Sequence, residues 1–386
     1  MVKMMTAYTT ELDETNDAIS EILSQIDKSA LLKNSVGIIT CHFDFIDSGL
    51  LEALHTELAF DIIGMTTMAS ANVNGSGMFG LSLSVLTSDD VFFAAGMSET
   101  LEVDNYRELL TETFNETVAK LPCPPKFMIT FSPYHRELRG NTLPKALNEI
   151  SDGLPIWGSF ATNTDISYDD CCTILNDATE AASLAMLLIG GAVEPEFVNV
   201  SIPAQNINNN RAVITESDGD ILKKVNDLPV LEYLGSIGVT VMKDASTTVP
   251  FMVYYEGSAK PVALGVFAIN DDNTLLCGGE MPVGAQISIG EINHDSIIKS
   301  LEDSLRLIQE IGKSHNAVLM LPCVTRYVML SPKKEIELEL ITETMKKSPE
   351  LPYSLGYSGG EICPVRDDSG KYINRFHNYT FSACII

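Results

Sequence analysis

The sequence predicts an α/β to α+β fold: two mixed-sheet subdomains built from strand–helix–strand units with added β-hairpins. Three observations carry this. Short β-rich runs alternate with longer segments whose apolar residues recur at helical spacing. The order strand, helix, strand, then glycine with small polar residues, occurs three times along the chain. The 386 residues are 45% hydrophobic and 20% charged, an ordinary globular composition. That length suits two or three domains at roughly 100–200 residues each.

Residues 11–26, 104–121 and 295–312 have helical periodicity, with Asp104 and Asp295 placed as N-caps. Residues 36–41, 62–67, 79–86, 91–95 and 127–131 read as strands. Ser88-Asp89-Asp90 and Asn270-Asp271-Asp272-Asn273 are hairpin turns. The first unit runs from strand 36–41 through a helix to Ile63-Gly64-Met65-Thr66-Thr67. The second runs from strand 127–131 through helix 143–150 to Ile156-Trp157-Gly158-Ser159, followed by strand 171–175. The third runs from strand 318–323 through helix 336–345 to Leu355-Gly356-Tyr357-Ser358, closed by strand 376–385. Such units make parallel strands with right-handed crossovers, and the hairpins make the sheets mixed. Residues 201–211 have four asparagines and no periodicity, so a boundary is placed there. Strands 212–216 and 220–224 follow, with Gly219 in their turn, and then helix 230–234. The division reads 1–33 as an extension, 34–205 as an N-terminal domain and 206–386 as a C-terminal domain.

The formal net charge is −27. Nucleic acid and anionic membrane surfaces should repel such a chain. Residues 1–16 lack the apolar core of a signal peptide. The longest apolar run, 183–193, is well short of the ~20 residues that span a bilayer. The eight cysteines form no CxxC pair, and the six histidines never fall in ligand spacing. No metal, cofactor or disulfide framework is expected. The cysteines read as small buried hydrophobes in a reducing cytoplasm.

Open sheets bind ligands at the carboxyl ends of parallel strands. Those ends are Cys41-His42, Tyr134-His135-Arg136 and Cys323 to Arg326, beside the three glycine corners. Thr66, Thr67 and Trp157 belong to those corners and are candidate ligand contacts. Arg326 can hold a carboxylate through two parallel hydrogen bonds, or form an internal salt bridge, with Glu361 as the expected partner. Glu361 follows Gly359 and Gly360, where the missing Cβ allows close approach. It can pair with Arg326 or hold a ligand ammonium group; together the two complement a zwitterion. Asn378 occupies a strand position that asparagine disfavours, with Thr380 on the same face. Tyr357 can stack on a ligand or fill the core. Cys323 is a candidate nucleophile or a buried thiol, and His135 a candidate base or a loop hydrogen-bonder. Residues 72–77 contain glycines without Walker or Rossmann spacing, and no serine elbow, kinase set or HExxH motif is present.

Several ordered motifs resemble the FIST family of sensory modules. They are Leu228-Pro229-Val230-Leu231-Glu232-Tyr233-Leu234-Gly235, Cys277 to Gly284, and Leu321-Pro322-Cys323-Val324-Thr325-Arg326. Gly359-Gly360-Glu361-Ile362-Cys363-Pro364 and His377-Asn378-Tyr379-Thr380 complete the set. The corners 63–67 and 155–159 fit the N-terminal FIST domain more loosely. The resemblance implies a small-ligand sensor without catalysis, with amino acids or related metabolites as ligands and a separate signalling output protein as partner. Two other classes stay open. One is an enzyme using Cys323 or His135 with Glu361; the other is an acidic scaffold for a basic protein.

Overall fold

The computed structural model describes residues 1–386 apart from 136, 139, 165–167, 243–248 and 258–259. Three six-stranded mixed sheets share one plan. In sheet I, Asn34–Cys41 and Ile62–Thr66 run parallel, joined through helix Leu50–Leu58. Leu81–Ser88 lies antiparallel to Asn34–Cys41, and Lys3–Thr9 closes that edge. Sheet II repeats this with parallel Pro125–Ser132 and Ile156–Phe160 around helix Thr142–Ile150. Ala185–Gly191 and then Val91–Met97 extend it. In sheet III, Val318–Pro322 and Tyr353–Gly356 are the parallel pair, with helix Ile336–Met345 in the crossover. Phe381–Ile385 and Glu196–Val200 extend it.

The strands form where apolar residues run continuously, because both faces are covered. Ile38 and Ile39, Met128 and Ile129, and Leu319 and Met320 are all buried. The crossover helices bury one stripe each: Leu50, Leu51, Leu54 and Leu58 in sheet I's helix. Helix His294–Ile311 starts from Asn293, not Asp295. Asn293 accepts from the Ser296 amide and Ser296 Oγ accepts from the Asn293 amide, a reciprocal capping box. Asp295 lies in the first turn, where its charge faces the helix dipole favourably. Asn105 rather than Asp104 precedes helix Tyr106–Ala119, without a side-chain cap bond.

The hairpins interlock the sheets. The hairpin after Ile62–Thr66, Ser70–Asn72 with Gly75–Gly77, pairs in sheet III with Tyr353–Gly356. The hairpin after Tyr353–Gly356, Glu361–Arg366 with Tyr372–His377, pairs in sheet II with Ile156–Phe160. The hairpin after Ile156–Phe160, Thr173–Leu175 with Ala178–Glu180, pairs in sheet I with Ile62–Thr66. The exchange is cyclic. The segments that leave the three parallel strands also bond one another. The Thr162 amide donates to the Thr66 carbonyl, the Gly359 amide to the Phe160 carbonyl, and the Tyr357 amide to the Ala69 carbonyl.

Sheets II and III each combine strands from both sides of residue 205. One sequence expectation changes. The run 376–385 is two strands, Tyr372–His377 in sheet II and Phe381–Ile385 in sheet III. Tyr379, at φ 60°, turns the chain between them. A fourth, wholly antiparallel sheet of eight strands lies between Ala212 and Ile289, with helix Val230–Ser236 beside it. Its inner residues share one core with helices Tyr106–Ala119 and Thr142–Ile150.

Parallel pairing is tightest at equivalent glycines. A Cβ on Gly64 would lie 1.8 Å from the Ile39 carbonyl oxygen, and one on Gly158 would lie 2.1 Å from that of Thr130. Gly64→Ala and Gly158→Ala must part the strands and should each lose about 3 kcal/mol or more. Gly235, inside a helix with open space around it, is the contrasting site. Gly235→Ala should gain roughly 0.5–1 kcal/mol. Urea unfolding of the three variants checks both signs.

Candidate functional site

A cleft of about 410 Å³ opens where sheet II, the antiparallel sheet and helix Val324–Met329 meet. That is a small-ligand size on a scale of ~300–1,000 Å³. Five aromatic rings line it: Tyr134, Phe160, Tyr168, Phe267 and Phe376. Phe160 ends a parallel strand of sheet II. Phe376 comes from the hairpin strand Tyr372–His377, and the two rings meet edge to face at 5.5 Å. Tyr134 follows the other parallel strand and stacks on Tyr168 at 4.7 Å. Phe267 reaches the cleft from the antiparallel sheet, and Thr325 and Val328 from the helix. Gly359 completes the wall.

Glu361, two residues beyond Gly359, is fully buried and starts a strand opposite Ser159 and His377. Thr380 Oγ1 donates to its Oε2 at 2.6 Å. Its Oε1 has no hydrogen-bond partner among the described residues. Burial pushes the carboxyl up to about 8, opposed by the Thr380 and Ser358 hydroxyls and the Cys323 thiol. Glu361 is therefore mainly a neutral acid at pH 7. The Ser358 hydroxyl is held by Ser159 Oγ at 2.8 Å and by the Gly360 amide at 3.1 Å. Burial, and then Glu361, push the Cys323 thiol well above its ordinary range. Such a thiol is a poor nucleophile. His377 is buried beside Glu361 in the ladder, donates Nε2–H to the Cys363 carbonyl at 3.2 Å, and is lowered by burial to about 4.

The structure brings Glu361, Gly360 and Cys323 together, with Thr67 and Tyr357 at the same junction. Thr67 Oγ1 donates to the Tyr357 carbonyl at 2.9 Å. Thr66 instead exchanges hydrogen bonds with Cys172. At Gly360, a Cβ would sit 2.4 Å from the Phe376 ring, so glycine admits a wall of the cleft. Arg326 does not pair with Glu361. It is buried and binds Glu337 through Nε at 2.8 Å and Nη2 at 2.6 Å. It also donates to Ser300 Oγ and to the Ile297 and Tyr379 carbonyls. Tyr357 donates to the other Glu337 oxygen at 3.4 Å, so its hydroxyl belongs to this network. Asn378 Oδ1 accepts from the Gly265 amide at 3.0 Å and ties the two sheets together. Trp157 is buried with its Nε1–H on Ser382. His135 Nδ1 accepts from the Glu137 and Leu138 amides, the expected loop role. Arg136 lies outside the described residues.

Sequence reasoning missed the cleft rings Phe160, Tyr168 and Phe267, and also Glu337. Only Glu337 had a signal. Residues 337, 338, 341, 342 and 345 form the buried stripe of helix Ile336–Met345, and Glu337 is its charged member.

Removing one partner of a buried ion pair leaves an uncompensated charge and costs about 3–5 kcal/mol; apolar replacement of both is often near neutral. Glu337→Ala should therefore unfold at much lower urea than wild type, and the Arg326→Met/Glu337→Leu double variant should recover most of the loss. A pH effect follows from Glu361. Its folded value of about 8 exceeds the ordinary 4.5, so the unfolded chain releases the proton first. Stability is full below pH 4.5 and declines by ~1.4 kcal/mol per pH unit as the pH rises toward 8. His377 acts oppositely: its contribution is full above pH 6.5 and is lost as the pH falls toward 4. Between pH 6.5 and 8 Glu361 contributes a falling slope, joined toward pH 8 by the buried cysteines whose thiols burial holds up. Chemical denaturation across that window should give a flatter profile for Glu361→Gln than for wild type.

Comparison with known proteins places the FIST N domain on residues 35–228 and the FIST C domain on residues 229–364. No curated protein matches the chain. One solved structure that the chain matches is described as "Cyanuric acid hydrolase: evolutionary innovation by structural concatenation". It is 7% identical, covers 76% of this chain and 100% of its own, and has a TM-score of 0.30. With both domains matched in order over most of its length, this chain belongs to the FIST family.

Proposed function

We propose that this chain is a small-ligand sensor of signal transduction that carries out no reaction of its own, with the aromatic cleft beside Glu361 as its ligand site. FIST domains are sensory domains of signal-transduction proteins. One observation supports the cleft above other places: a largely apolar cavity has Gly359 in its wall, two residues before the buried carboxyl of Glu361, whose Oε1 has no hydrogen-bond partner among the described residues. Apolar walls with a few convergent polar groups are the usual form of a small-molecule site. Amino acids and related metabolites suit its volume, with the side chain against the rings. Arg326 does not supply the carboxylate contact, because its donors are spent on Glu337, Ser300 and two carbonyls.

The protonated, buried Cys323 and the occupied His135 Nδ1 argue against nucleophilic or base catalysis at this place. All eight cysteines are free, and all except Cys123 are buried, which suits a reducing cytoplasm. Among the described residues no helix is long and apolar enough to cross a membrane. The signal would pass to a separate output protein.

A thermal-shift and calorimetric screen of amino acids and their metabolites tests this reading. A ligand at a hundredfold excess over its Kd should add about 2.7 kcal/mol of stability. Val328 lines the cleft and is 40% exposed, so Val328→Trp should fill the cleft, keep the fold and remove the shift. A wild type that responds to no compound, or a filled variant that binds as well, defeats the proposal.

A further inference from the structure

We infer that the cleft takes an organic cation with an apolar or aromatic body, and that binding it expels the Glu361 proton. This rests on the cleft being the ligand site and adds the ligand's charge and its coupling to pH.

One feature of the cleft and one group two residues from its lining point to a cation. The first is the wall. Tyr134, Phe160, Tyr168, Phe267 and Phe376 come from four different parts of the fold and converge on one space. Ring faces attract cations, most strongly where water is excluded, by ~0.5–2 kcal/mol per good contact. The second is Glu361. Its Oε1 is buried without a partner, although Oε2 is held by Thr380. A buried polar atom left unpaired costs about 1–3 kcal/mol, so such atoms call for an explanation. Tyr168 links the two features: it lines the cleft, and its phenol lies within the electrostatic reach of both Glu361 and Cys323.

The surroundings of Glu361 leave the charge of a carboxylate unmatched. From sheet II it faces Ser159 and His377, and His377 is held neutral. Thr380 and Ser358 offer hydroxyls, Cys323 offers a protonated thiol, and Cys363 lies two residues further along the strand. Arg375, on the His377 strand, stacks on Tyr255 instead. Among the described residues no cation faces the carboxyl, and burial favours its protonated form. An ammonium or guanidinium group brought to Oε1 supplies the missing charge. The carboxyl then ionises, and its proton leaves to solvent. Affinity must rise with pH until Glu361 is ionised without help, near pH 8, and then level off.

The test compares phenethylamine with its neutral isostere 2-phenylethanol, and benzylguanidine with benzylurea. Each is titrated calorimetrically at pH 7 in two buffers of different ionisation enthalpy, which counts released protons. Wild type should bind each cation at least about tenfold tighter than its isostere, with close to one proton released per ligand. The preference should grow between pH 6 and 8. Glu361→Gln should bind cation and isostere alike and release no proton. Should Glu361→Gln not fold, Tyr168→Leu serves instead: it should reduce the cation preference and keep the proton release. Wild type binding cations no tighter than isosteres, or binding them without proton release, overturns the cation assignment. If the isosteres still bind and Val328→Trp blocks them, the cleft remains the ligand site; if nothing binds, both readings fall.

Discussion

The fold depends on a three-way junction at the ends of the inner parallel strands. The corners are tied pairwise by backbone hydrogen bonds: Thr162 donates to Thr66, Gly359 to Phe160, and Tyr357 to Ala69. Buried backbone groups must be paired, and here each corner's pairing is completed by another unit. The hairpin exchange follows from the same geometry. A chain leaving one sheet at the junction is already beside the edge of the next sheet. The three units therefore hold one another in place, and none has a complete sheet of its own.

The junction also sets where chemistry can occur. Residues that leave it are buried before their polar groups are all satisfied. Most find partners nearby, as Ser358 does with Ser159 and Thr67 does with the Tyr357 carbonyl. Glu361 is held by Thr380 on Oε2, with the Ser358 hydroxyl and Cys323 thiol close by, while Oε1 has no hydrogen-bond partner among the described residues. The rings of the cleft stand on strands or on the loops that follow them, with Phe267 supplied by the antiparallel sheet and helix Val324–Met329 adding Thr325 and Val328.

Arg326 and Glu337 solve a different problem. Helices His294–Ile311, Val324–Met329 and Ile336–Met345 cover one face of sheet III. A fork of buried hydrogen bonds from Arg326 to Glu337, Ser300 and the Ile297 and Tyr379 carbonyls joins them to the turn at Tyr379. That turn separates sheet II from sheet III. The same residue that looked fit to hold a ligand carboxylate instead fixes helices on which Thr325 and Val328 face the cleft.

Local pattern by itself determined the three strand–helix–strand units and the glycine corners. Apolar runs such as Ile38-Ile39 and the stripe of helix Leu50–Leu58 report burial residue by residue. The ordered motifs at Pro322–Arg326 and Gly359–Pro364 likewise carried the family, and Glu361 stood out because two glycines precede it. Tertiary structure alone decided the partners. Arg326 has Glu337 eleven residues on and Glu361 thirty-five residues on, and only the helix packing selects the former. The cleft's rings lie between positions 134 and 376, and no period relates them. The hairpins contain no mark of the sheet they join, because backbone pairing is indifferent to side-chain identity and follows proximity. Which sheet is near is a property of the assembled junction, not of any segment that enters it.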